Sequence, residues 1–294
     1  MSHKKAGFVA IIGRPNVGKS TLMNFLVGEK LAGVSSKPQT TRGTVHGILT
    51  REQGQAVYLD TPGFHKPKDS LGEWMVHEVE KSLEGADLVY WLVLPGEIKP
   101  IEEKILGLLK KVKVPVILVI NQVDRYPKEK ILTLLDYFSK AYDFVEMIPI
   151  SAKTGLQVDI LLDKTFEHLP EGERLFPEDQ LSDQTERYLV GELIREKLYH
   201  LTHEEVPYGT AVLVEEFNER EDGIIEIHAT FVVEKDSQKA IVIGKNGEMI
   251  KEMGTMARAD LENFLQRKVF LKLWVKTLTN WKRDSKSLKQ LGFQ

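Results

Sequence analysis

Gly13 to Ser20 read Gly-Arg-Pro-Asn-Val-Gly-Lys-Ser, directly behind the apolar run Phe8 to Ile12. A strand, a glycine-bearing loop and a helix in that order form a cradle for phosphate. Gly13 and Gly18 let the backbone wrap closely, so that its N–H groups and the helix N-terminus face negative charge. Lys19 then reaches the β- and γ-phosphates of a nucleoside triphosphate and Ser20 ligates Mg2+, while Arg14, Pro15, Asn16, Val17 and Thr21 complete the loop. The bland alternative is a βα turn that ends in Lys-Ser by accident, and the flanking strand and helix patterns argue against it.

Three further segments indicate which triphosphate. Asp60-Thr61-Pro62-Gly63 closes the apolar run Ala56 to Leu59, putting an Asp and a glycine N–H at a second strand end, where Mg2+ and the γ-phosphate lie in this class. Val116 to Ile120 ends in Asn121-Gln122-Val123-Asp124, with Asp124 placed to accept from both N1–H and the 2-amino group of guanine. Adenine lacks both donors, and an acceptor left unpaired in a buried site costs about 1–3 kcal/mol. Val145 to Ile150 leads into Ser151-Ala152-Lys153, a place for a backbone N–H on the guanine carbonyl oxygen. Singly these are turns or helix caps; at four strand ends in one chain they indicate a guanine nucleotide.

The order of phosphate loop, loop threonine, Asp-x-x-Gly, Asn-x-x-Asp and Ser-Ala-Lys resembles the translation-factor-related branch of small GTPases. That branch usually has Lys where this chain has Gln122. The Lys stem lies over the base and braces the phosphate loop, so the shorter, uncharged Gln implies weaker nucleotide affinity with guanine selection intact. Ser35 to Gly43, broken by Pro38 and Gly43, is a loop and reads as switch I. A threonine there completes the Mg2+ shell, with Ser20 and Asp60, only when the γ-phosphate is present. Thr41 is assigned that role over Thr40 on resemblance alone. Phe64 follows Gly63 where many relatives carry the Gln that orients the attacking water, so hydrolysis should be slow and rest on Lys19, Thr41, Mg2+ and the Gly63 main chain. Relatives with a hydrophobic residue there and an Asn at the position of Asn16 often use K+, which makes Asn16 a candidate K+ ligand; as a plain residue it is a turn former.

At 294 residues, 42% apolar and without cysteine, the chain is long enough for two domains and suits a reducing, cytoplasmic compartment. Its start carries no secretion-type apolar segment, and no apolar run approaches membrane-spanning length. Up to Pro170 strands alternate with helical patterns, which predicts a doubly wound, mainly parallel α/β sheet. Leu169-Pro170-Glu171-Gly172 and Phe176-Pro177-Glu178-Asp179 break that pattern, so residues 171–183 read as a linker.

Charge beyond the linker is uneven. Residues 171–237 hold 18 acidic against 6 basic side chains, whereas residues 238–294 hold 12 basic against 5 acidic, although the whole chain is only −3. Such a basic region attracts phosphate polymers, though a charge run is more often a solvated face. The motif inside it sharpens the reading. Gly244-Lys245-Asn246-Gly247 lies between apolar segments ending at Ile243 and resuming at Met249 and Ile250, the Gly-x-x-Gly loop with which KH domains clamp four nucleotides. Helical patterns over 185–201 and 248–265 and strand patterns over 210–217, 224–233 and 268–275 predict the α+β setting of that loop. Met249, Met253, Met256, Leu261 and Phe264 share one helical face and should be core.

These motifs together, with Gln39-Thr40-Thr41-Arg42, Val206-Pro207-Tyr208 and Val269 to Lys276, are similar along essentially the whole chain to the Era family of bacterial GTPases. The resemblance implies a G domain over 1–170, a type II KH domain over 184–280, and a basic C-terminal tail over 281–294. It implies GTP or GDP with Mg2+ as ligands, and as partners 16S ribosomal RNA near its 3′ end and the 30S subunit, not DNA. The protein should be a monomer. Carried over by position, Gly13 to Thr21 hold phosphates, Asp60 to Gly63 sense the γ-phosphate, and Asn121, Gln122, Asp124 and Ser151 to Lys153 surround the base. RNA falls to Ile243 to Gly247, Ile250 and Lys251, with Lys282 and Arg283 neutralising phosphates. The alternative from another class is a stand-alone nucleotide hydrolase whose second domain docks a protein or, peripherally, the inner face of the membrane.

Overall fold

The computed structural model describes residues 4–293. The chain divides into two compact units. The first comprises residues up to Ala32, Thr41–Lys66 and Met75–Asp183; the second comprises Gly33–Thr40, Pro67–Trp74 and the chain from Gln184 onward.

In chain order the first part forms β1 (Lys5–Ile12), α1 (Lys19–Val27), β2 (Val45–Arg51), β3 (Gly54–Asp60), α2 (Ser70–Glu84), β4 (Leu88–Val93), α3 (Pro100–Leu109), β5 (Val116–Ile120), α4 (Lys128–Ala141), β6 (Glu146–Pro149) and α5 (Val158–His168). The strands order as β2-β3-β1-β4-β5-β6, with only the β2–β3 pair antiparallel. A sheet covered by helices on both faces needs strands apolar on both faces. Leu88–Val93 and Val116–Ile120 meet that demand, being buried at every position. The doubly wound, mainly parallel sheet expected from the alternation is therefore what forms, and its carboxyl strand ends are where such folds hold ligands.

The stretch read as a linker is instead strapped along this sheet. Gln55, wholly buried, accepts from Leu175 N and Phe176 N and donates to Phe176 O, while Ile48 N donates to Leu181 O at 2.8 Å and the Ser182 hydroxyl to His46 O. The Ile48 and His46 bonds cover the open edge of β2 and the Gln55 bonds anchor the segment to β3, which explains why so polar a stretch is ordered.

The second unit contains α6 (Glu186–Leu201), β7 (Ala211–Glu219), β8 (Ile225–Val233), α7 (Asp236–Ile243), α8 (Glu248–Leu265), β9 (Val269–Thr277) and α9 (Ser285–Gln290). Its sheet runs β7-β8-β9, with β7 antiparallel and β9 parallel to β8. This helix-strand-strand-helix-helix-strand order with a parallel pair is the type II KH arrangement. Its core joins Val190, Leu193, Ile194 and Leu198 of α6 to Ile227, Ala229 and Phe231 of β8 and Met253, Ala257 and Leu261 of α8. Met249 and Phe264 pack at its margin; Met256 is half-buried, and Ala257 takes the central place on that face.

Residues 281–293 of the stretch read as a tail are not a solvated segment. Trp281 is fully buried, donates Nε1–H to Gly209 O at 3.1 Å and stacks on Phe293, which meets Trp74 edge-on. Asp284 caps α9 through Ser287 N, and Leu288 and Leu291 are buried. A run rich in Lys and Arg thus carries an apolar underside that closes the second unit. Among the described residues no helix is long and apolar enough to cross a membrane.

Candidate functional site: a nucleotide cradle and an RNA groove

Four loops leaving the carboxyl ends of β1, β3, β5 and β6 build the first site. After β1, a Cβ at Gly18 (φ 95°) would sit 2.4 Å from Asn121 Nδ2, and one at Gly13 would sit 2.6 Å from Leu92 O, so the loop's path is closed to larger residues. Gly63 is equally constrained, since a Cβ there would lie 2.8 Å from the Pro15 backbone. Val17 is buried, and the chain turns through a left-handed Asn16 (φ 65°) before α1 begins at Lys19.

Lys19 is 6% exposed, and its ammonium lies 3.3 Å from both Gly13 O and Arg14 O. Burial pulls its pKa down to about 8, against the opposing charge of Asp60. A triphosphate laid in the loop reverses that shift, because it supplies the negative charge the buried ammonium lacks.

Ser20, Thr41 and Asp60 converge. Ser20 Oγ donates to Asp60 Oδ2 at 2.6 Å and lies 2.9 Å from Thr41 Oγ1, which in turn donates to Asp60 Oδ2 at 3.3 Å. The Thr40 hydroxyl instead donates to Lys37 O at 2.9 Å, within its own turn. Two hydroxyls and a carboxylate are hard oxygen donors of the kind Mg2+ takes together with substrate phosphates, so the residues present fit that ion. Among the described residues no three His, Cys, Asp or Glu side chains gather as an all-protein metal cage. Thr61 faces away, its hydroxyl donating to Ile11 O at 2.8 Å, which pins the end of β3 to β1. Phe64 N donates to Gly13 O at 3.0 Å, while the Phe64 ring turns into the core beside Val79 and Trp91.

At the base side Asn121 is a strut. Its Nδ2 donates to Val17 O at 2.8 Å, and its Oδ1 accepts from Gln122 N at 2.8 Å and Ala152 N at 2.9 Å. It thereby ties the phosphate loop to the Ser-Ala-Lys turn. The sequence reading gave it to the base; the structure uses its carbonyl oxygen twice within the protein. Ser151 N is likewise bonded to Leu156 O and Ala152 N to Asn121 Oδ1, so two of the three amides of the Ser-Ala-Lys turn are engaged within the protein. Asp124 stands exposed on the 3-10 turn Val123–Arg125, open to a base. Gln122 reaches the phosphate loop only through a long contact, Nε2 to Asn16 O at 3.5 Å. Arg14 is braced by a residue with no sequence signal: its Nε meets Oε1 of the buried Glu102 on α3 at 2.7 Å.

In the second unit, Lys245–Gly247 forms a 3-10 turn between α7 and α8. A Cβ at Gly244 (φ 74°) would sit 2.6 Å from Met249 Cβ, whereas at Gly247 (φ 79°) it would meet nothing, so the first glycine is required by packing and the second leaves open backbone. Lys245 and Asn246 are exposed, and Ile243 half-buried. A groove of about 400 Å³ lies between α8 and β9, lined by Ile250, Lys251, Gly254, Thr255, Arg258, Leu271 and Leu273. Apolar walls and a cationic rim suit bases and phosphates respectively. The last five of these residues escaped the sequence reading, although Gly254 and Arg258 continue the i+4 spacing from Ile250.

Lys282 corrects an expectation. It pairs with Glu234 at 2.8 Å and Asp69 at 3.8 Å, and its carbonyl accepts from Leu71 N, so it holds the Pro67–Trp74 stretch and is not a free phosphate neutraliser. Arg283 is exposed.

The family description "50S ribosome-binding GTPase" matches residues 8–122, and "KH domain" matches residues 205–282. GTPase Era of Trichlorobacter lovleyi is 48% identical over 99% of this chain and 98% of its own, and GTPase Era of Clostridium tetani is 48% identical over 99% of both. The chain belongs to the Era family of GTPases. Among solved structures of that family, Aquifex aeolicus Era bound to GDP·AlF4− as a point variant is 40% identical, with TM-score 0.95 over 98% of this chain and 99% of its own. An Era complex with MgGDPNP and nucleotides 1506–1542 of 16S ribosomal RNA is also 40% identical, with TM-score 0.96 over 99% of each chain.

Proposed function

We propose that the chain is a GTP-hydrolysing switch that binds small-subunit ribosomal RNA near its 3′ end through the KH groove and assists maturation of the 30S subunit. The observation that carries this is the full-length likeness to an Era that holds MgGDPNP and 16S nucleotides 1506–1542 together. This chain's own residues support both halves. Lys19 brings its ammonium to the phosphates, Asp124 takes the guanine donors, and the Gly63 main chain lies against the phosphate loop. Mg2+, when bound by Ser20, Thr41 and Asp60, neutralises charge developing on the β- and γ-phosphates. With Phe64 in the core, the residue after Gly63 offers no carboxamide to orient water, so intrinsic hydrolysis is slow. The same reading gives Asn16 to K+.

The test addresses the groove. Lys245→Asp combined with Asn246→Asp adds bulk and negative charge where an RNA backbone must pass. Titration with an RNA of 16S nucleotides 1506–1542 should show binding weakened by at least about a hundredfold, while GTP turnover without RNA stays at the parent rate, because the change is confined to a loop of the second unit. Unchanged RNA affinity overturns the KH assignment.

A further inference from the structure

Glu196 and Lys197, consecutive on α6, are 3% and 4% exposed, and charged side chains are almost never buried without partners. Glu196 Oε1 accepts the backbone N–H of Val34 at 3.0 Å, and its Oε2 accepts from Lys197 Nζ at 2.8 Å. The same ammonium is bonded to Asp260 on α8. A line of charge therefore runs from the main chain of Val34, just ahead of switch I, across α6, to the helix that begins at Glu248 and forms one wall of the groove.

The rest of α6 holds the same loop by its backbone. Arg195 donates to Thr40 O, Tyr199 Oη to Gln39 O at 2.8 Å, and His200 Nε2 lies 2.9 Å from Val34 O. Lys37 in return donates to the carbonyls of Tyr199 and Thr202. Most of these contacts read the path of Gly33–Thr40 through its main chain. The next residue is Thr41, whose hydroxyl joins Ser20 and Asp60.

Adhesion does not account for the charges. The apolar core between α6 and α8 already packs Leu193, Ile194 and Leu198 with Met253, Ala257 and Leu261, and a buried ion pair adds little that apolar side chains of similar volume would not. What the three charges do, and apolar residues cannot, is accept the Val34 amide at the entry to switch I and tie it to α8. When Gly33–Thr40 departs, Glu196 loses the Val34 N–H while remaining beside Lys197. The two states of the loop thus differ in a contact that α8 feels through Asp260, the differential interaction that coupling between two sites requires.

We infer that Glu196 is a positioning residue for the GTPase reaction, holding the chain that enters switch I at Val34, and that Lys197 and Asp260 make its position depend on the helix that lines the RNA groove. The inference rests on the proposed GTP-controlled RNA binding, and the experiment separates the two. RNA of 16S nucleotides 1506–1542 is titrated into the full chain loaded with GDP or with a non-hydrolysable GTP analogue, and GTP turnover is measured with and without that RNA. Two variants are used: Asp260→Ala, and the pair Glu196→Gln with Lys197→Met, which removes two charges at once and keeps an acceptor for Val34.

In the parent the two nucleotide states should differ in RNA affinity by about 5–150-fold, the usual range of coupling. In both variants that ratio should fall to about one, and the effect of RNA on kcat should vanish, with KM for GTP, GDP affinity and the thermal midpoint kept. Variants that retain the parent ratio overturn the inference alone. Loss of the ratio together with GDP affinity or the thermal midpoint also overturns it, as that is a merely structural role. A parent with no nucleotide dependence overturns the switch reading and the inference with it.

Discussion

Asn121 and Asp124 stand in one motif three positions apart, yet their side chains have opposite occupations: Asn121 is 1% exposed and bonded on both atoms inside the protein, whereas Asp124 is open to solvent. Spacing alone could not separate them, because Val17 and Ala152, the partners that claim Asn121, come from distant loops. Asn16 poses the same question on the phosphate side. It sits in the left-handed region at φ 65°, as a turn former does, and its carbonyl meets Gln122 Nε2. If its side chain also holds K+ beside the triphosphate, exchanging K+ for Na+ at constant ionic strength should slow GTP hydrolysis by about tenfold or more, the effect of losing one preorganised charge at a developing one. Asn16→Ala should turn over at the lower rate in both salts. Equal turnover of the parent in both salts leaves Asn16 a turn former only.

At the scale of elements, periodicity decided what could be read. The strand expected over 268–275 appears as Val269–Thr277, since Val269, Leu271, Leu273 and Val275 face the core while Phe270, Lys272, Trp274 and Lys276 alternate with them. The segments from 171 to 183 and from 281 onward have no period, and their order comes from partners far away in sequence, Gln55 and Ile48 for one, Gly209 and Trp74 for the other. A Lys- and Arg-rich stretch with scattered Trp281, Leu288, Leu291 and Phe293 reads as a tail until the surface those side chains cover is known. Trp281→Ala should therefore cost the second unit about 3–5 kcal/mol, as for other buried aromatic truncations, while Arg283→Ala stays within about 0.5 kcal/mol. Thermal unfolding of the two variants checks this; equal midpoints would restore the picture of a solvated tail.

At the scale of the whole molecule, the partition of the chain carries a thermodynamic consequence. The two units have separate apolar cores, one around Trp91 and Ile120 and one around Ile194 and Phe231, so calorimetry should resolve two unfolding transitions. The boundaries between units cut through switch I: Gly33–Thr40 clusters with the KH fold, as does Pro67–Trp74, while Thr41 and Asp60 cluster with the nucleotide cradle. On the proposed reading GDP is held by the phosphate loop and the base side of the cradle. At a hundred times its Kd it stabilises the first unit by about 2.7 kcal/mol and should raise that transition by roughly 5–10 °C, leaving the second in place. If a GTP analogue engages Thr41 as well, it restrains through the peptide bond to Thr40 the loop that Arg195, Glu196 and Tyr199 hold, and it should raise both transitions. RNA of 16S nucleotides 1506–1542, added to the GDP form, should raise the second transition and identify it. If the analogue moves only the transition that GDP moves, the nucleotide state does not reach the KH unit through switch I, and control of RNA binding must run by another route.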